Sequence, residues 1–360
     1  MIFSMTFGAG NVVFPLTTGV WCKSLWFFGF LGFFISSIFL PFLGLFATAM
    51  SQGSYKSFLG TTIGKFFAAT TTVMAMLLLG PLGCIPRCAI LAYETGADYW
   101  IGGKIVFSAV FFLVSFLIAM EKHRLINVLG KILAPTSIIS FTFLIIKGIL
   151  KAPAIQTSSG SVIQAIHVGT MNGCFTLDLL AAIFYSRIIL VNIESMVQSG
   201  DNKIDKEALV KFLLKSGTLA IMFFSFIYGG MIWLSAAFSS NLPSSISPGA
   251  LFGEIAKVVL PANLAFVQKV FVITACFSTT LALLTVFADY INQTSQEKIS
   301  YKKALFCSIV VCFVLSITNF SYVLQVMLPM MTFVYPVLIF AVSLVMVRLL
   351  SKSLCKKNLS

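Results

Sequence analysis

Five stretches of this 360-residue chain, 2–20, 24–50, 66–86, 270–288 and 321–347, contain no Asp, Glu, Lys, Arg or His. A helix needs about 20 consecutive apolar residues to cross the hydrocarbon core of a bilayer, and each stretch reaches or approaches that length. Within the bilayer every backbone polar group must be satisfied internally, so helices are the expected spanning element. Composition agrees: 10% of residues are charged and 59% are hydrophobic, whereas a soluble domain carries about a quarter charged residues. The pattern predicts an all-α polytopic membrane protein with about ten transmembrane helices, near 2–20, 25–50, 66–91, 104–121, 125–150, 164–197, 209–238, 263–291, 302–319 and 322–349.

The formal net charge of +13 would suggest nucleic acid in a soluble protein. Here the positive-inside bias of membrane loops explains it, and no nucleic-acid partner is expected. With the N-terminus in the cytoplasm, Lys and Arg crowd the cytoplasmic segments, as at Lys203, Lys206, Lys298, Lys302 and Lys303. The outer side then holds only Lys23, Lys104, Lys147, Lys151, Lys257 and Lys269. Both termini are therefore expected in the cytoplasm, with an even number of spans. Residues 239–262 form a long outer loop with its own short amphipathic segment, and 198–207 a polar inner loop. The eight cysteines are scattered without a C-x-x-C, so neither a metal site nor a disulfide framework is expected. The first apolar run lacks a basic leader region, which argues against a cleavable signal peptide.

Two spans carry polar interruptions. Gly8, Gly10 and Asn11 fall within the first, followed by Pro15, and Asn172 and Gly173 fall within the sixth, followed by Asp178. Five spans separate the two breaks. Five is odd, so the two halves run in opposite directions through the membrane. Matched interruptions in two such halves point to an inverted-repeat transporter with its site at mid-membrane. An unwound turn frees N–H groups that suit a carboxylate and carbonyls that suit a cation. Glycine at Gly10 and Gly173 lets a ligand approach the backbone closely. An amino-acid zwitterion fits such a site.

The segments FGAGNVVFP (7–15), GPLGCIPRCAILAYE (80–94) and NGCFTLDLL (172–180), with TIGK (62–65) and YPVLI (335–339), resemble those of the branched-chain amino acid:cation symporters, the BrnQ-type carriers of bacteria. That resemblance covers nearly the whole chain. It implies a LeuT-like five-plus-five inverted repeat, with 1–150 as the first repeat, 151–349 as the second and 350–360 as a cytoplasmic tail. It also implies uptake of leucine, isoleucine and valine with Na⁺ or H⁺ across the bacterial cytoplasmic membrane, with no other cofactor. Through it, Ala9 and Gly10 are expected to donate backbone N–H groups to the substrate carboxylate. Asn11 would place a side-chain oxygen near an ion, and Phe175 and Thr176 would line the pocket. Thr279 and Thr280, with carbonyls near Cys276, Ser4 and Phe7, match the sodium-ligating pattern of LeuT-like symporters. Members of that family usually have a longer start and further spans, so either the true start lies upstream of Met1 or this is a shortened member whose first half-helix is nearly absent.

Ionisable groups inside a membrane are costly and become functional candidates. Asp178 would contact the substrate ammonium, a proton or Na⁺, or else cap the half-helix that follows it. Arg87 and Glu94, seven residues apart, are expected on one helix face as a structural ion-pair network. Arg187 is expected to snorkel or pair with Glu194, and Glu94 and Asp289 to lie near the membrane boundary. An embedded enzyme would need nucleophile, base or metal groups within the spans. Only His123 and His167 exist, both expected in loops, and no H-E-x-x-H appears. A passive channel would not need two matched breaks and a buried acid. A symporter for another small neutral amino acid such as methionine is the nearest alternative, because pockets separate such side chains by only about 1–3 kcal/mol per methylene.

Overall fold

A computed structural model of the chain describes residues 8–51, 55–97, 101–120, 134–184, 206–243 and 246–357, together with Ser186 and Leu190. The helices are α1 (Ala9–Cys22), α2 (Trp26–Phe34), α3 (Leu40–Met50), α4 (Tyr55–Ile63), α5 (Lys65–Leu79), α6 (Cys84–Thr95), α7 (Gly103–Ala119) and α8 (Ala134–Lys151). They continue with α9 (Val162–Phe175), α10 (178–184), α11 (Lys206–Phe238), α12 (Leu251–Val259), α13 (Ala262–Thr294), α14 (Tyr301–Ile317) and α15 (Phe320–Lys357). Among the described residues, six stretches are long and apolar enough to cross a membrane: Ala9–Met50, Lys65–Thr95, Val162–Phe184, Lys211–Asn241, Ala262–Thr294 and Phe320–Leu349. Gly103–Ala119 is a shorter apolar helix. This is an all-α polytopic membrane architecture, and about ten spans is consistent with it. The last helix runs on to Lys357, so most of the segment expected as a tail is helical.

α1 lies at the centre, with Ala9 through Leu16 buried on every side. Small residues let its neighbours close in. A Cβ on Gly19 would lie 2.0 Å from the Ile232 carbonyl oxygen of α11. Across α2 and α9 the approach is reciprocal: a Cβ on Gly32 would sit 2.1 Å from Ile166 O, and one on Gly169 would sit 1.9 Å from Gly29 O. In lipid the hydrophobic effect does not drive helices together, so close backbone contact at small residues supplies the packing.

Three irregular places in these helices position the site. α2 and α3 are joined by a π-helical turn, Ile35–Phe39, a geometry that concentrates at functional sites. Residues 80–83, Gly-Pro-Leu-Gly, break the span expected to run continuously from 66 to 91. Gly80 and Gly83 bound the break, Pro81 lacks an N–H, and Leu82 N–H turns back to Leu77 O at 3.0 Å. The third irregularity falls at Thr176–Leu177, not at Asn172–Gly173. α9 continues through both of the latter residues to Phe175, and Leu177 takes up φ 65°. That left-handed conformation costs a non-glycine residue about 1–3 kcal/mol and persists only where the surroundings impose it. Leu177 is fully buried.

Asn172 and Gly173 have other work. Asn172 Nδ2 donates to Thr18 Oγ1 at 3.0 Å. A Cβ on Gly173 would lie 2.0 Å from Ser36 Oγ, so this glycine packs helices together and does not admit a ligand. His167 lies on α9, not in a loop. α12 confirms the amphipathic segment of the long loop. Lys151 Nζ donates to Val259 O at its C-terminus, at 2.9 Å, and Ser247 just before it donates to Glu94 Oε2 at 2.8 Å.

Candidate functional site

α1 begins where its sequence runs Gly-Ala-Gly-Asn. Gly8 is the N-cap, and its N–H donates to the Asn11 side-chain oxygen at 3.1 Å. The Gly10-Asn11 pair therefore lies in the first turn of α1, not in a gap between two helical halves. N–H groups of a first turn have no acceptor within their own helix and carry partial positive charge. Gly10 faces the break in the other repeat: a Cβ there would be 3.1 Å from Thr176 Cα.

Asn11 joins the two interrupted regions. Its Nδ2 donates to Asp178 Oδ1 at 2.9 Å and Oδ2 at 2.8 Å, and lies 2.5 Å from Tyr228 Oη of α11. Its oxygen, expected near an ion, is engaged by Gly8. Asp178 is the first residue of α10 and is 4% exposed. Ser37, in the π-helical turn, donates to Asp178 Oδ2 at 2.7 Å and lies 3.2 Å from Thr176 Oγ1. Thr176 Oγ1 donates to Gly173 O at 2.7 Å and accepts from Asp178 N–H at 3.4 Å. The carboxylate thus bonds to side chains from two other elements and not to the first-turn N–H groups of α10, as a cap would. Among the described residues Oδ1 accepts only from Asn11 and keeps acceptor capacity.

Ser37 and Tyr228 were not singled out by sequence. The Ser-Ser pair in an otherwise apolar run was the available signal for Ser37. Tyr228 had none, because it is brought to Asn11 only by the packing of α11 on α1.

Arg87 and Glu94 do not pair. Arg87 is completely buried, and its Nη1 donates to Phe175 O at 2.8 Å while Nη2 contacts Cys84 Sγ at 3.2 Å. Its Cζ stands 5.5 Å from the centroid of Phe14, which stacks on Phe175 at 5.5 Å. Glu94 instead holds Ser247. Tyr335 Oη donates to Cys174 O, so the carbonyls that end α9 are met from both α6 and α15.

On α13, Thr279 and Thr280 are buried one turn beyond the buried Cys276. A Cβ on Gly8 would be 3.0 Å from Thr279 Cγ2 and 3.6 Å from its Oγ1. Among the described residues Thr280 Oγ1 is buried with no oxygen or nitrogen partner, and the Cys88 thiol lies beside it. Ser4 and Phe7 lie outside the described residues, as do His123, Arg187 and Glu194.

One cavity of about 20 Å³ collects these parts. Gly8 to Asn11 of α1 line it, with Thr176, Leu177 and Asp178 of the break, Arg87 of α6 and Thr279 of α13. That volume holds roughly one water-sized group. A branched aliphatic side chain does not fit, so admitting one requires the surrounding half-helices to part. Phe175 and Gly173 stand outside this lining; Phe175 contributes its carbonyl and its ring stack.

A family model described as "Branched-chain amino acid transport protein" matches residues 1–358. The branched-chain amino acid permease BraB of Bacillus subtilis (strain 168) is 28% identical, over 94% of this chain and 76% of that protein. The branched-chain amino acid permease BrnQ of Lactobacillus delbrueckii subsp. lactis is 24% identical, over 98% of this chain and 80% of that one. Among solved structures, MhsT in complex with L-phenylalanine superposes with a TM-score of 0.60 at 18% identity, covering 95% of this chain and 86% of that chain. That likeness shows the fold, a LeuT-like one with interrupted helices. The family model and the permeases agree on a carrier and not an enzyme: this chain belongs to the branched-chain amino acid transport protein family.

Proposed function

We propose that the protein imports leucine, isoleucine and valine across a bacterial cytoplasmic membrane by Na⁺ or H⁺ symport, with both termini in the cytoplasm and access alternating between the two sides. The observation that carries this reading is the shared cavity, where the first turn of α1, the break at Thr176–Leu177 and buried Asp178 converge. The permeases named above support the substrate class. Asp178 Oδ1 receives the substrate ammonium, and the N–H groups of Ala9 and Gly10 face its carboxylate. The aliphatic side chain takes the apolar remainder of the lining once the half-helices separate.

The test is uptake of labelled leucine into proteoliposomes under an inward Na⁺ gradient, a pH gradient, both, or neither. Accumulation above equilibrium is expected with at least one gradient, with competition by isoleucine and valine. If no branched-chain amino acid accumulates under any gradient, the reading fails.

For the coupling ion, Thr279 and Thr280 supply hydroxyl ligands beside the start of α1. Losing one ligand of about 1.4 kcal/mol changes an affinity tenfold. T280A and T279A are each expected to raise the Na⁺ concentration for half-maximal uptake about tenfold or more. Unchanged Na⁺ dependence in both variants, with uptake retained, would remove sodium from this position.

A further inference from the structure

We infer that Arg87 is the residue that binds the carboxylate of the transported amino acid. This deepens the proposed transport function and rests on it. Arg87 is 0% exposed at the heart of a membrane protein. A guanidinium does not lose its proton in proteins, so its charge cannot be relieved by neutralisation. Removing such a charge from water costs several kcal/mol unless a partner compensates. Yet among the described residues no carboxylate lies within 4.0 Å of it. Glu94, the acid on its own helix, is engaged by Ser247. Asp178 is engaged by Asn11 and Ser37.

What Arg87 has instead is partial. Among the described residues Nη1 reaches one carbonyl, Phe175 O, Nη2 has only a thiol sulfur, and Nε has no partner. Its Cζ stands 5.5 Å from the centre of the Phe14 ring, a cation–π contact that helps to hold the guanidinium in place. Capping the C-terminal carbonyls of α9 explains one of its five donors. Arg87 lines the same space as the first turn of α1 and Asp178. One small buried space thus carries a fixed cation and a fixed anion that do not neutralise each other directly. A ligand with both charges a few bonds apart, an α-amino acid zwitterion, compensates both at once. Its carboxylate goes to Arg87 and the N–H groups of Ala9 and Gly10, and its ammonium goes to Asp178. The break at Gly80–Gly83 makes this possible, because restarting the helix as α6 places Arg87 one turn from the new N-terminus, facing α1.

The test compares leucine with leucinol, which keeps the amine and side chain but has no carboxylate. Binding to the purified full-length protein in detergent is measured by competition with labelled leucine. In the wild type, leucine is expected to bind at least about 100-fold more tightly than leucinol, the scale of a charge-assisted bidentate contact in a buried site. In R87Q, leucine is expected to weaken about 100-fold while leucinol changes less than about threefold, so the preference collapses. R87K, which keeps the charge but not the fork, is expected to fall between them. A purely structural Arg87 would weaken both ligands together. The inference is overturned if R87Q or R87K keeps the wild-type leucine-to-leucinol ratio. It is also overturned, without any variant, if leucinol binds the wild type as tightly as leucine. A wild type that accumulates branched-chain amino acids while R87Q keeps the ratio defeats the arginine assignment alone. A wild type that neither binds nor accumulates them defeats the transport reading with it.

Discussion

Asp178→Asn is expected to lower leucine uptake at least about 100-fold, with the protein still inserted and folded. Asparagine is nearly isosteric with aspartate and caps a helix equally well. If Asp178 served only to start α10, the variant would transport normally. Its role in the site is different. The carboxylate accepts from Asn11 Nδ2 through both oxygens and from Ser37 Oγ through Oδ2. An amide has one oxygen to offer these donors, and its NH₂ faces at least one of them. Hydrogen bonds to a charged group contribute about 1.5–3 kcal/mol, and loss of the ammonium attraction comes on top. Together about 3 kcal/mol corresponds to at least a hundredfold in rate. D178E keeps the charge but inserts a methylene beside a cavity of about 20 Å³, so a smaller loss is expected. Initial rates in proteoliposomes, normalised to reconstituted protein, decide the matter. D178N working within about threefold of wild type would take Asp178 out of the substrate site.

Gly169→Val is expected to prevent stable folding altogether. A Cβ at this position would stand 1.9 Å from Gly29 O and 3.0 Å from Phe33 N. Both are backbone atoms of α2, so no side-chain rotation relieves the clash, and the helices must separate. Separation would also open the reciprocal seat of Gly32 on Ile166 O and would draw the π-helical turn, with Ser37, away from Asp178. Overpacking of ordinary cores costs about 1–3 kcal/mol, and a fixed backbone on both sides puts this case above that range. Size-exclusion chromatography after heating in detergent is the measurement, with little monodisperse protein expected for G169V. Gly60 supplies the control: nothing lies within 4 Å of a Cβ there, and it sits inside α4. G60A is expected to be neutral or to stabilise by about 0.5–1 kcal/mol, the difference between glycine and alanine in a helix. Equal melting of G169V and wild type would mean that the α2–α9 contact is not a close one.

The two substitutions show where sequence was sufficient and where it was not. The membrane class, the helical architecture and the family could be read from uncharged runs and from the segments around Gly10, Arg87 and Asp178. Lipid imposes these features along the chain itself, since a span must be apolar over its whole length and a buried charge must be rare. Asp178 was picked out for the same reason, by its cost. Which groups meet was not written in local pattern. Arg87 and Glu94 share a helix at a plausible spacing, yet the break at Gly80–Gly83 and the packing of the long loop send one to the cavity and the other to Ser247. Asn172 and Gly173 looked like the second interruption because Asn and Gly favour breaks. A helix keeps them when their partners, Thr18 and Ser36, lie across a close interface, and the unwound turn then falls at Thr176–Leu177. Ser37 and Tyr228 reach the site through contacts between residues more than a hundred positions apart in sequence. Solvent preference acts on each residue separately and is therefore legible in one dimension. Pairing depends on which helices share a face, and only the folded bundle decides that.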